Sequence, residues 1–142
     1  MPDVSTTATE VRKDFADFLD EARLRPQYIK RRSYQYIVLP AETFEKLTPD
    51  ATVEVEFIED EDGGIFTNNS FFPDVIGFGA DKADALDSFK EGLISYSYEY
   101  YENFPIFSVS PGRAEQATAV LRLISHFERH ANIDDLVKER AA

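Results

Sequence analysis

Apolar residues recur along this chain with two different periods, and the switches between them outline its elements. From Val11 the apolar positions run Phe15, Phe18, Leu19 and Ala22, at steps of four, three, one and three, which set them on one helical stripe. Arg12, Lys13, Asp14, Asp17, Asp20 and Glu21 fill the other faces. Thr7-Ala8-Thr9-Glu10 ahead of the stripe reads as a capping box, and Pro26 ends the helix near Arg25. Two extended stretches, Tyr28-Ile29-Lys30 and Tyr36-Ile37-Val38-Leu39, then flank a polar turn at Arg31-Arg32-Ser33-Tyr34-Gln35, which predicts a hairpin. Ala41–Leu47 is a short amphipathic helix with Phe44 and Leu47 inward. With a small leading strand at Val4-Ser5, the order is β-α-β-β-α.

The period then changes to two. Val53-Glu54-Val55-Glu56-Phe57-Ile58 alternates apolar and acidic residues, the mark of a half-buried strand. Glu59–Gly64 is a turn, Ile65-Phe66-Thr67 starts a second strand, and Phe71–Gly79 holds a third, interrupted by Pro73 and glycines. Asp81 is a suitable N-cap for a helix from about Lys82 to Glu102, whose stripe is Leu86, Phe89, Leu93, Tyr96 and Tyr100. That stripe must cover the sheet, because burying each such side chain is worth about 1.5–3 kcal/mol. Ile106-Phe107-Ser108-Val109 predicts a fourth strand. Ala117, Val120, Leu121, Ile124, Phe127 and Ala131 share a helical face, and Asn132 caps a last short helix containing Leu136 and Val137. The fold class is therefore α+β. A small β-α-β-β-α module (1–50) precedes a β-β-β-α-β sheet-and-helix module (51–111), followed by a C-terminal helical segment (112–142).

Charge sharpens this division. Residues 1–50 carry 8 basic and 9 acidic side chains, residues 51–111 carry 2 and 13, and residues 112–142 carry 5 of each. A near-neutral head with clustered cations thus joins a strongly acidic body, and the two suit partners of opposite sign.

Several chemistries are excluded or left without support. The 142 residues include no cysteine, so disulfides and thiolate metal sites are out. Glu59–Asp62 lacks the spacing of a calcium loop and is flanked by strands. His126 and His130 are four apart but have no third ligand, so no metal and no cofactor is expected. There is no phosphate-binding loop and no convincing histidine–carboxylate pairing, so no catalytic residue is assigned and an enzyme is not expected. The start of the chain lacks the basic and apolar runs of a signal peptide, and no 18-residue apolar stretch exists. A cytoplasmic protein with no membrane partner is expected.

The head resembles the prevent-host-death/YefM family of antitoxins. The matching residues are Ser5–Phe15, then Tyr28-Ile29-Lys30-Arg31-Arg32, Ile37-Val38-Leu39-Pro40 and Glu42-Thr43-Phe44-Glu45-Lys46-Leu47. Val11 stands where the family has alanine. Ser33-Tyr34 replaces its turn glycine, which implies a wider hairpin tip. The resemblance implies a homodimer gripping operator DNA, with Arg12 and Arg31 at the operator-contacting positions. Arg12 sits in the first turns of a helix and Arg31 and Arg32 on a turn, where guanidinium groups reach phosphates or base edges. Lys13 and Lys30 add non-specific attraction. Thr7, Arg12, Lys13, Lys30, Arg31 and Arg32 form the expected DNA-binding set.

The body is similar to the HicB-like antitoxin domain. The likeness lies in Phe57-Ile58, Glu61-Asp62-Gly63-Gly64, Phe72–Gly77, Gly79 and Ala83-Asp84-Ala85-Leu86. It implies a module that binds a small, basic, RNA-cleaving toxin, and an acidic body complements such a partner. Glu54 and Glu56 on the strand, with Tyr98 and Tyr101 off the core stripe of the long helix, are the expected toxin-binding residues. The function expected is that of an antitoxin which neutralises a toxin and represses its own operon. The alternative is an adaptor or inhibitor whose head only dimerises, which the near-zero charge of that head favours.

Overall fold

The computed structural model describes residues 3–50, 52–130 and 132–141, with the side chain of His130 left aside. The chain forms two compact units, Met1–Leu47 and Thr48–Ala142. Both are α+β, as the periodicities predict.

In the first unit, β1 (Ser5–Thr7) leads into α1 (Ala8–Lys13) and α2 (Phe15–Leu24). The hairpin β2 (Gln27–Arg31) and β3 (Tyr34–Val38) follows, then α3 (Ala41–Leu47). The sheet order is β1-β2-β3, with β1 parallel to β2 and β3 antiparallel. Thr7 caps α1 by accepting from Glu10 N (3.2 Å), whereas the Glu10 carboxylate takes Lys13 Nζ (3.0 Å).

The expected single helix is broken. Asp14 leaves helical geometry at φ −147°, ψ 76°, and ends one helix while capping the next, its carboxylate accepting from Asp17 N (3.2 Å). The break rotates the stripe. Phe18 and Ala22 are buried with Val11, but Phe15 (56% exposed) and Leu19 (43%) are not. Leu47, expected inside, is also exposed. The hairpin is tighter than the missing glycine implied. Arg31 faces Tyr34 in register, so two residues turn the chain, and Arg32 takes the left-handed conformation at φ 57°.

The second unit has a four-stranded sheet ordered β6-β5-β4-β7. Its strands are β4 (Val53–Glu59), β5 (Ile65–Asn68), β6 (Phe78–Gly79) and β7 (Val137–Glu139). The helices are α4 (Lys82–Glu102), α5 (Phe104–Phe107) and α6 (Ala117–His130), with a 3-10 turn at Ala114–Gln116. Asp81 caps α4, accepting from Asp84 N (2.8 Å). Phe89, Leu93, Tyr96 and Tyr100 of its stripe are buried against Val53, Val55, Phe72, Val120 and Leu123.

The expected fourth strand at 106–109 is not one. Pro105 suits a first helical turn, and the rings of Phe104 and Phe107 pack on Tyr100 at 5.9 and 5.5 Å between centroids. The strand completing the sheet comes instead from the C-terminal stretch read as a short helix. Val137 pairs in parallel with Val53, and Arg140 N donates to Val55 O (2.8 Å).

Two glycines let α4 seat on the sheet. A Cβ at Gly77 would stand 2.3 Å from Ala85 O and 2.4 Å from Phe89 N, and one at Gly79 would stand 2.5 Å from Ala85 N. Only a residue without a side chain admits that approach. Buried polar groups are paired: Gly77 N donates to Thr67 Oγ1 (2.8 Å), Tyr96 hydrogen-bonds Gln116, and Gln116 Nε2 donates to Phe71 O (2.7 Å).

Candidate functional site

The candidate nucleic-acid surface lies on the first unit. Thr7 is the register partner of Lys30, so α1 begins at the same end of the sheet where the Arg31–Arg32 turn closes the hairpin. Arg12 follows on α1, next to buried Val11 and itself exposed. Among the described residues Arg12, Arg31 and Arg32 make no ion pair and remain available to a polyanion. The two lysines of the expected set are occupied. Lys30 Nζ lies 2.7 Å from Asp3 Oδ2, and Lys13 Nζ 3.0 Å from Glu10 Oε1. Lys30 and the Ser5 amide hold the Asp3 carboxyl below its ordinary pKa. Both pairs are exposed, and such pairs exchange readily for phosphate. Thr7 Oγ1 is used by the cap. On the far side of the Asp14 break, the hydrogen bond and charge of Asp14 raise the pKa of Asp17.

The candidate protein-binding surface lies on the second unit. Strand alternation buries Val53 and Val55 and turns Glu54 and Glu56 outward. Glu56 Oε1 is met by Arg140 Nη1 at 2.6 Å, while Glu54 makes no ion pair among the described residues. Both line a cleft of about 630 Å³ together with Asp50, Asn68, Phe71 and Glu115. Its floor includes Val53, Phe72 and Leu123. Carboxylates at the lip and an apolar floor suit a basic, partly apolar segment of a protein rather than an anion.

The tyrosines divide. Tyr101 is 55% exposed. Tyr98 is turned to internal use: its hydroxyl donates to Glu128 Oε1 (2.6 Å) and its ring stacks on Phe127. The Glu128 carboxylate, then burial, pushes the Tyr98 phenol up to about 12. Burial also raises Tyr96 and Tyr100. In the acidic turn, the Asp60 carboxylate accepts from Asp62 N and Gly64 N, both at 2.9 Å, and so shapes the hairpin.

Arg140 and the Phe71 lip escaped sequence reasoning because tertiary folding brings them to Glu56 and Leu123. Ile58 escaped it too, although its phase was legible: counting outward from Glu54 and Glu56 in twos lands on Ile58.

A family model described as the PHD-like antitoxin of RelE/RelB toxin–antitoxin systems matches residues 3–138, across both units. This chain belongs to that antitoxin family. The antitoxin also matches a crystal structure from Syntrophomonas wolfei subsp. wolfei, described as the antitoxin part of a proposed toxin/antitoxin system. The TM-score is 0.79, the identity 22%, and the alignment covers 97% of this chain and 99% of the other. At that identity the likeness is one of fold. No curated protein matches. Family membership implies a toxin partner for the antitoxin. Among the described residues no helix is long and apolar enough to cross a membrane.

Proposed function

We propose that this antitoxin neutralises a small basic toxin by direct binding through its second unit, and represses its own operon by gripping operator DNA with paired first units. The head acts as a YefM-like module and the body as a HicB-like one. The observation that carries this reading is the separation of charge between the units. The first holds eight basic and eight acidic side chains, with Arg12, Arg31 and Arg32 exposed and out of ion pairs among the described residues. The second holds seven basic and nineteen acidic side chains and so carries the whole net charge of −12. A surface that offers guanidinium groups suits phosphate, and an acidic one accelerates capture of a cationic protein while rejecting nucleic acid.

Pairing of two first units follows from their incomplete burial. Phe15, Leu19, Tyr28, Tyr36 and Ile37 stay exposed, and β3 is an uncovered edge. A homodimer covers such surface and doubles the arginines presented to a two-fold operator. Toxin contacts fall to Glu54, Glu56 and Tyr101, with Tyr98 contributing by fixing the α4–α6 contact. The protein acts by binding rather than by catalysis, in the cytoplasm where its operon is transcribed.

Electrophoretic shift of the upstream DNA of its own operon, measured against salt, tests the DNA half. The logarithmic salt slope should fall by about one for each arginine removed in Arg12→Ala plus Arg31→Ala. Absence of any shift by the wild-type protein at low salt leaves the adaptor alternative, in which the head only dimerises.

A further inference from the structure

The outer face of the second unit's sheet carries a row of apolar side chains that the fold leaves open. Ile58 is the register partner of Phe66, and Phe66 of Phe78, so three adjacent strands present them side by side. The core is built on the opposite face, through Val53, Val55 and the α4 stripe. Ile58 is 40% exposed and Phe78 59%. The ladder continues through Thr67 N to Gly77 O (2.9 Å), and strand alternation around buried Gly77 puts Ile76, 63% exposed, on the same face. The row is preorganised. The Phe78 ring lies directly over Gly64, where a Cβ would stand 2.7 Å from it. An exposed aromatic held flat by a glycine has little freedom left to lose on binding, which is what an interface anchor requires.

The surroundings select the occupant. Asp60, Glu61 and Asp62 form the β4–β5 turn just beyond Ile58, and Asp81 follows Phe78 three residues on. None of these four is in an ion pair among the described residues. A second copy would set one carboxylate rim against another, and anionic lipid or nucleic acid would meet the same repulsion. What fits is a protein surface with an apolar knob inside a ring of lysine or arginine.

We infer that the Ile58–Phe66–Phe78 face is where the toxin docks. The inference rests on the antitoxin reading and places the principal contact on this apolar row, with Glu54 and Glu56 at its margin. The test uses the full-length antitoxin and the RelE-type toxin encoded with it, by titration calorimetry and stopped-flow association, with size-exclusion chromatography of the antitoxin alone. Ile58→Asp plus Phe78→Asp should weaken the complex by about 100-fold or more, as loss of two anchors does, and leave the antitoxin's own oligomeric state unchanged. Glu61→Lys plus Asp62→Lys, at exposed turn positions whose side chains make no hydrogen bond or ion pair among the described residues, should slow association about tenfold at low salt and flatten its salt dependence. Wild-type binding with the apolar double variant within threefold of it overturns the docking face and leaves the antitoxin reading standing. Failure of the wild-type protein to bind removes that reading and the inference with it. An unchanged association rate in the lysine variant, or loss of self-association in the apolar variant, also overturns the assignment, the latter in favour of a second copy.

Discussion

The two units of this antitoxin solve opposite problems. The second has 95 residues and buries a continuous core from Val53 and Val55 through Phe89, Leu93 and Tyr100 to Leu123. The first has 47 residues and, among the described ones, buries only Val11, Phe18 and Ala22 of its apolar side chains, leaving Phe15, Leu24, Tyr34 and Ile37 in solvent. A small unit with that little burial sits near the limit of independent stability and gains most from a second copy. The larger unit is complete, so its surface is free to specialise, and it holds the whole net negative charge. The contrast teaches that exposed apolar residues mean different things in the two halves. In the first they are the surface that the proposed homodimer would cover. In the second they form an ordered row on a sheet that is already stable.

Substitutions sharpen or break this contrast. The largest effect is expected at Phe89, which is fully buried: Phe89→Ala should remove about 4 kcal/mol of unfolding free energy in urea, and Phe18→Ala in the first unit less. Equal losses would erase the difference in core quality. Next comes Gly77→Ala, which forces α4 off the sheet where a Cβ has 2.3 Å to Ala85 O; about 3 kcal/mol should be lost, and a loss below about 1 would mean the helix yields easily. If the first unit is completed by its copy, tenfold more protein should add about 0.7 kcal/mol of protection to the β2–β3 amides in hydrogen exchange, because protection of each protomer rises as the square root of concentration. Protection independent of concentration would show the unit to be self-sufficient.

A smaller effect reports on the second unit's internal use of tyrosine. Tyr98→Phe removes the hydrogen bond to Glu128 and should cost about 1 kcal/mol, in keeping with its partial exposure. The sign with pH follows from its raised pKa. The neutral phenol is the form the fold favours, so the difference between wild type and variant should hold below pH 10 and vanish as pH climbs through about 12. A difference that persists beyond pH 12 would assign it to packing on Phe127 instead. The smallest expected effect is a gain. Arg32 holds φ 57° in the hairpin turn, and Arg32→Gly should add about 0.5 kcal/mol by relieving that strain while weakening DNA binding. Unaltered DNA affinity would remove Arg32 from the nucleic-acid surface.

Much of this architecture was legible in the sequence wherever a pattern was long. The cap at Asp81 and five apolar positions at helical spacing specify α4, and the alternation from Val53 specifies β4, because each pattern has a single way of burying its apolar face. The first unit's element order and its cation-rich turn were equally readable. The same sequence concealed the break at Asp14, since an aspartate in mid-stripe serves as a surface residue or as a cap, and only the packing of Val11 and Phe18 chooses. It concealed the fate of 104–107, where aromatic packing on Tyr100 prevails over the strand propensity of Ile106 and Val109.

By itself, then, the order of residues determined the charge of each unit, the long helix and its buried stripe, the alternating strand, and which arginines the first unit has to offer. The tertiary structure decided which strand completes the second sheet, since three residues at 137–139 become a strand only once the edge of β4 is there to bond them. It also decided which apolar side chains stay outside. Local pattern reports a residue's phase, whereas exposure depends on what other parts of the chain arrive to cover that face, and Ile58 and Phe78 are left 40% and 59% exposed.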